Sequence, residues 1–231
     1  MIKKTFLIIL LLLGIIFIFN KQILSKYYEH KFSKWVEREV IFNQFNFDYP
    51  NNISIKGIKV LNTDPINFEN IFEADKVEIN INLKSLFFSN LVVINSLDII
   101  RPIFNIEIVE KNLKIFNSED GLTGKEVTYD DNIGIAKKIN GNLPSKIWPE
   151  KKEDINFLIL KSTISEGNTY LKVSSINNVF KVSMSDMKFN KFGNKKNYQH
   201  YKEVLKIVLY DIYARVDNSN LKNLLKKIYG L

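Results

Sequence analysis

Between Lys76 and Lys84, Val77, Ile79, Ile81 and Leu83 alternate with Lys76, Glu78, Asn80, Asn82 and Lys84. Period-2 alternation predicts a strand with one apolar face and one wet face. The same period begins at Val40. "IFNQFNFDYPNNISIKGIKVLN" predicts two strands around a turn at "DYPNN", and "TDPINFENIFE" a connector with a helical turn over Asn67–Phe72. After the strand Lys76–Lys84 come a break at "FSN" and a strand Leu91–Ile100. Pro102 punctuates, Ile103–Val109 follows, and "EKN" predicts a hairpin turn into "LKIFN". Residues 40–117 therefore read as an antiparallel meander.

Residues 118–155 are rich in Gly, Asp and Pro and sparse in apolar residues, which predicts a long loop insertion with one helical turn near Ile133–Ile139. Strands resume in "INFLILKSTI", turn at "SEGN", and continue in "TYLKVSS" and "NVFKVSMSDMKF". The period then becomes helical. Tyr201, Val204, Leu205, Val208, Ile212 and Val216 form one stripe, and "DNSN" ends that helix and caps a second, "LKNLLKKIYGL".

Upstream of Val40, Leu24, Tyr27 or Tyr28, Phe32, Trp35 and Val36 lie at helical spacing. This stripe suits the membrane head-group zone or a docking face on the body. Before it, Phe6–Phe19 contains no polar residue, with Lys3 and Lys4 ahead and Lys21 behind. Counted from Ile2 to Ile23, with those lysines snorkelling, a helix approaches the thickness of a bilayer core of about 30 Å. A cleaved secretory signal needs small residues after the run, whereas the sequence continues Asn20, Lys21, Gln22. The expectation is an uncleaved single span with a cytoplasmic N-terminus and the body outside the cytoplasm. Three parts result: an anchor and juxtamembrane helix at 1–39, an antiparallel β-groove domain at 40–195, and C-terminal amphipathic helices at 196–231. The fold class is mainly β with α.

Composition changes this picture little. The net charge is +8, but Arg38, Arg101 and Arg215 are the only arginines among 33 basic residues, and the lysines are scattered. Nucleic-acid readers favour clustered Arg, so no nucleic-acid partner is expected. Cysteine is absent, which excludes disulfides and thiol chemistry. His30 and His200 lack metal-ligand spacing, and no nucleophile, phosphate-loop or dinucleotide motif is present. The pairs Glu119–Asp120 and Asp130–Asp131 read as solvated turns, and His200 as a surface residue at a helix start. No enzyme, metal or cofactor is expected.

A one-sided sheet must hide its apolar face. The cover is the C-terminal helices, a second layer of sheet, a partner chain, or lipid. For lipid, the lining residues expected from polarity are Val77, Ile79, Ile81, Leu83, Phe104, Ile106 and Ile108. Each buried methylene contributes about 0.8 kcal/mol.

The order of these features resembles the amino-terminal module of the AsmA-like proteins of bacterial envelopes. After the anchor, "ISIKGIKVLNTDP" is similar to the family's strand and Asn-Pro-like turn. "EADKVEININLKSLFF" is similar to its next strand, with Leu83, Ser85 and Leu86 in place. "LVVINSLDIIRPIFNIE" carries the family's proline at Pro102, and "KNLKIFNSEDG" resembles the following hairpin. The resemblance covers residues 1–121. It implies a β-groove in the periplasm, anchored in the inner membrane, that takes phospholipid acyl chains and serves phospholipid transport or outer-membrane homeostasis. The chain is too short to bridge the periplasm alone, so local lipid handling, or association with envelope proteins or similar chains through sheet edges, is expected. The alternative is a non-enzymatic envelope adaptor, an LptC-like jelly-roll or a secretion or pilus subunit, with the same face buried against protein.

Overall fold

The computed structural model describes residues 25–34, 36–63, 65–116, 123–132, 156–195 and 197–229. The expected anchor, the helical turn near Ile133–Ile139, the Glu119–Asp120 pair and Trp35 lie outside them. Among the described residues no helix is long and apolar enough to cross a membrane.

Strands dominate. They are β1 (Val40–Ile41), β2 (Gln44–Asp48), β3 (Asn52–Leu61), β4 (Asn70–Ile81), β5 (Leu91–Phe116), β6 (Thr123–Asp131), β7 (Asn156–Ser165), β8 (Asn168–Val173), β9 (Val179–Ser183), β10 (Met187–Gly193) and β11 (Gln199–His200). The helices are α1 (residues 25–34), α2 (Leu83–Phe88), α3 (Tyr201–Ala214) and α4 (Ser219–Tyr229). The described strands form one open, curved sheet with the path β1-β3-β4-β5-β7-β10-β11, and off this path β2 pairs β3, β6 and β8 pair β5, and β9 pairs β8.

Several sequence expectations are corrected. The sheet is mixed, because β5 pairs in parallel with both β7 and β8. β6 returns antiparallel along β5 as far as Ile108, and the chain re-enters at Asn156 beside Leu91, the start of β5. A long connection of this kind is what parallel neighbours need. Pro102 and "EKN" do not end strands, since β5 runs through both for 26 residues. Part of the expected insertion is β6. Asn70–Phe72 is strand rather than helical turn.

A single crease explains the curvature and the misplaced breaks. Gly57, Arg101 and Glu166 all have left-handed φ, at 60°, 50° and 56°. Registers place Gly57 opposite Asp75, Asp75 opposite Arg101, and Arg101 opposite Glu166. Two consecutive residues on each strand turn away from the core here: Lys56–Gly57, Asp75–Lys76, Ile100–Arg101 and Ser165–Glu166. The line extends through Asn43–Gln44, between β1 and β2, and through Ser185–Asp186, between β9 and β10. β1–β2, β7–β8 and β9–β10 are thus each one track interrupted at the crease, and "SEGN" is the crease rather than a hairpin turn.

The doubled outward step shifts the period-2 pattern by one, as a bulge does. Ile55 and Val60, Val77 and Ala74, Ile164 and Leu171 are therefore all buried despite their parity. An ionic row spans the outer side, with Arg101 Nε on Asp75 and Arg101 Nη1 3.6 Å from Glu166.

Helices cover the apolar face from two sides. α1 runs antiparallel to β1–β2, with Tyr28 stacked on Phe45 at 4.6 Å and Phe32 against Phe42 at 5.7 Å. The aromatic stripe of this helix therefore docks on the body. Buried Glu29 fixes it by accepting from Phe42 N at 3.0 Å and Lys26 Nζ at 2.7 Å. α3 and α4 bury Val204, Val208, Ile212, Leu221 and Leu225 against Ile106, Ile108, Leu171 and Phe189. His200 caps α3, its Nδ1 accepting from Lys202 N at 3.3 Å.

Candidate functional site

The expected lining residues separate into three groups. Val77 is buried, 7% exposed, in the cluster that Tyr28 and Phe32 of α1 and the following Val36 cover. Ile106 and Ile108, 2% and 1% exposed, lie in the cluster that α3 and α4 seal. Ile79, Ile81 and Phe104 remain part-exposed, Phe104 with its ring 5.1 Å from that of Phe72. Leu83 is not on the strand. β4 ends at Ile81, Asn82 accepts from Ser85 N, and Leu83 opens α2. Asn is a preferred N-cap, because its side-chain oxygen satisfies a free N–H group of the first helical turn.

The crease brings Val77, Ile79, Phe104, Ile106 and Ile108 onto one face although their positions differ in parity. Sequence reading missed Leu97 and Ile99. They lie opposite Ile79 and Val77 and pack against both clusters, so they form the seam between the two helical covers. Their alternation in "SLDII" was the available signal. Ile79, Ile81, Ile94 and Leu97 make a part-exposed apolar strip along this seam. Asn52, Ser54, Glu78, Asn80 and Ser96 occupy the opposite face, as the alternation requires.

Polar chemistry lies elsewhere. A cavity of about 540 Å³ at the α1–β1 junction is lined by Lys26, Glu29, His30, Ser33, Glu37, Arg38, Glu39 and Val40. Behind the sheet, buried Glu107 accepts from the backbone N–H groups of Ile66 at 3.4 Å, Asn67, and Phe68 at 2.8 Å. Asn62 Nδ2 adds a bond at 3.3 Å. This carboxylate pins the 62–69 loop.

Asp131 is a further correction. It is buried and accepts from Tyr229 Oη at 2.9 Å, tying α4 to β6. Burial, reinforced by the Asp131 charge and hydrogen bond, pushes the Tyr229 hydroxyl well above its ordinary pKa. Asp211 joins α3 to the crease through Ser185 and Arg215. Burial raises its pKa, but the Ser185 and Arg215 hydrogen bonds prevail and hold it below the usual range. Among the described residues no group of three or more His, Asp or Glu side chains is arranged to hold a metal ion.

No protein-family model, curated protein or solved structure matches the chain.

Proposed function

We propose that this chain is a membrane-anchored, AsmA-like protein of the bacterial envelope that holds lipid acyl chains along the seam strip of its sheet. In this reading residues 2–23 span the inner membrane and the body lies in the periplasm. Its role is non-enzymatic, in phospholipid transport or outer-membrane homeostasis. The observation that supports it is the part-exposed strip of Ile79, Ile81, Ile94 and Leu97 between two helical covers. The strip carries no charged side chain, so it suits acyl chains without selecting a head group. The site is narrower than the sequence implied, since Val77, Ile106 and Ile108 belong to the protein's own core. Burying even six methylenes contributes about 5 kcal/mol.

The sealing of Ile106 and Ile108 by α3 and α4 favours a second reading, an envelope adaptor whose strip meets a protein partner. Native mass spectrometry of the full chain in mild detergent, with lipid extraction, separates the two. Co-purifying phospholipid that is lost in a folded Ile79→Asp, Ile81→Asp variant supports lipid. A lipid-free, folded wild-type chain supports the adaptor.

A further inference from the structure

Among the described residues, four of the five strongly exposed aromatic side chains lie toward one end of the sheet, the fifth being Tyr210 on α3. Tyr49 is 88% exposed at the β2–β3 turn, Phe47 47% just before it, and Phe88 88% at the end of α2. These elements are neighbours: Ile81 N donates to Asn51 O at 2.9 Å, and Asn51 Nδ2 to Asn80 Oδ1 at 3.3 Å, immediately before α2. Tyr49 and Phe88 sit on no core cluster, and large apolar rings exposed toward one end of a sheet suit an interaction surface.

The direction of α1 links this end to the rest of the chain. Val40 N bonds Ser33 Oγ at the far end of β1, while Tyr28 stacks on Phe45, nearer Phe47. Going backwards along α1 therefore leads toward Tyr49. Tyr27, 54% exposed, and Lys26 lie on the last described turn, and the apolar run Phe6–Phe19 precedes them in sequence. A helix advances about 1.5 Å per residue, so Ser25, the first described residue of α1, lies on the side of the aromatic end. Lys84 of α2 is exposed at the same end, and Asp48 of β2 is exposed there too.

We propose that Tyr27, Phe47, Tyr49 and Phe88, with Lys26 and Lys84, form a rim that seats this end of the sheet in the interfacial layer of the membrane holding the anchor. Aromatic rings favour that layer, and lysines beside them meet anionic head groups. The rim holds the seam strip open toward the bilayer, because Ile81 and Ile94 are the strip residues nearest this end. An acyl chain then passes from the membrane to the strip without crossing water. The proposal rests on the reading of residues 2–23 as a membrane span.

The chain has no cysteine, so single labelling sites are clean. Tyr49→Cys, Phe88→Cys and Lys84→Cys full-length proteins are labelled with bimane and reconstituted into vesicles of phosphatidylcholine and phosphatidylglycerol. The last variant retains every rim aromatic. Ile66→Cys, 67% exposed in the loop at the opposite end, is the control, and Leu12→Cys reports the anchor. The expected result is blue-shifted emission at 49, 84 and 88, quenched by shallow nitroxide lipid and shielded from iodide, with position 66 iodide-accessible. If Leu12 is lipid-quenched while 49, 84 and 88 behave like 66, the rim is overturned and the anchor stands. If Leu12 is not lipid-quenched, both fall.

Discussion

Replacing Glu107 by Gln tests whether a buried carboxylate organises the outer loop. Glu107 is 3% exposed and faces only donors: the backbone N–H groups of Ile66, Asn67 and Phe68, and Asn62 Nδ2. Gln keeps the shape but removes the charge and turns one NH₂ group toward those donors. Hydrogen bonds to a charged partner contribute about 1.5–3 kcal/mol each, against about 1 for neutral pairs. The bonds from Ile66 and Asn62 are long, at 3.4 and 3.3 Å, so those from Asn67 and Phe68 dominate. Ile66 and Asn67 are exposed, and water partly satisfies them in the variant. The expected loss is about 2–3 kcal/mol. Asn132 still bonds Glu107 N and Asn105 O through its own side chain, so the sheet beneath is undisturbed. Urea unfolding in detergent, followed by circular dichroism, measures the loss, and faster amide exchange confined to residues 66–68 localises it. A change below about 0.5 kcal/mol, the range of ordinary surface substitutions, refutes the argument.

Three further outcomes follow from the same contacts. Arg101→Gly relieves a left-handed φ of 50° at the loss of exposed ion pairs of small value, so its stability equals or exceeds wild type, whereas the β-branched Arg101→Val falls below wild type; the reverse order in thermal unfolding contradicts the crease. Tyr229→Phe loses about 1–2 kcal/mol at neutral pH, and its stability falls less steeply than wild type above about pH 10, because only the unfolded Tyr229 ionises there readily; parallel pH curves refute this. Asp211 has a lowered folded pKa, so the stability it contributes is present above the unfolded value near about 4 and is lost as pH falls through the folded one; Asp211→Asn removes that acid-limb slope, and an unchanged slope contradicts the assignment.

Much of the fold was legible because alternation is a local signal. β2, β3, most of β4 and the C-terminal helices follow directly from it. Pairing partners are not local, so the parallel neighbours of β5 could not be read from period 2. The crease was legible but misread. The outward doublets "KG", "DK", "IR" and "SE" each shift the phase by one residue, and beside Pro102 and Gly167 they resemble strand ends. Pro102 survives inside β5 because it sits next to the crease, where the Asp75–Arg101 step of the ladder is interrupted. The site was half legible for the same reason. Alternation identifies apolar positions, but only packing tells that Ile106 and Ile108 belong under α3 and α4 while Ile79 and Ile81 lie at the seam.

The central claim is that the seam takes an acyl chain, and lipid retention by the full chain tests it most directly. Native mass spectra of wild type, of Ile79→Asp, Ile81→Asp and of an outer-face control, Glu78→Gln, are compared with the extracted lipid. The account predicts phospholipid adducts on wild type and on the control, lost in the double variant, whose circular dichroism is unchanged. Adducts that persist in the folded double variant, or a wild-type chain that carries none, contradict it.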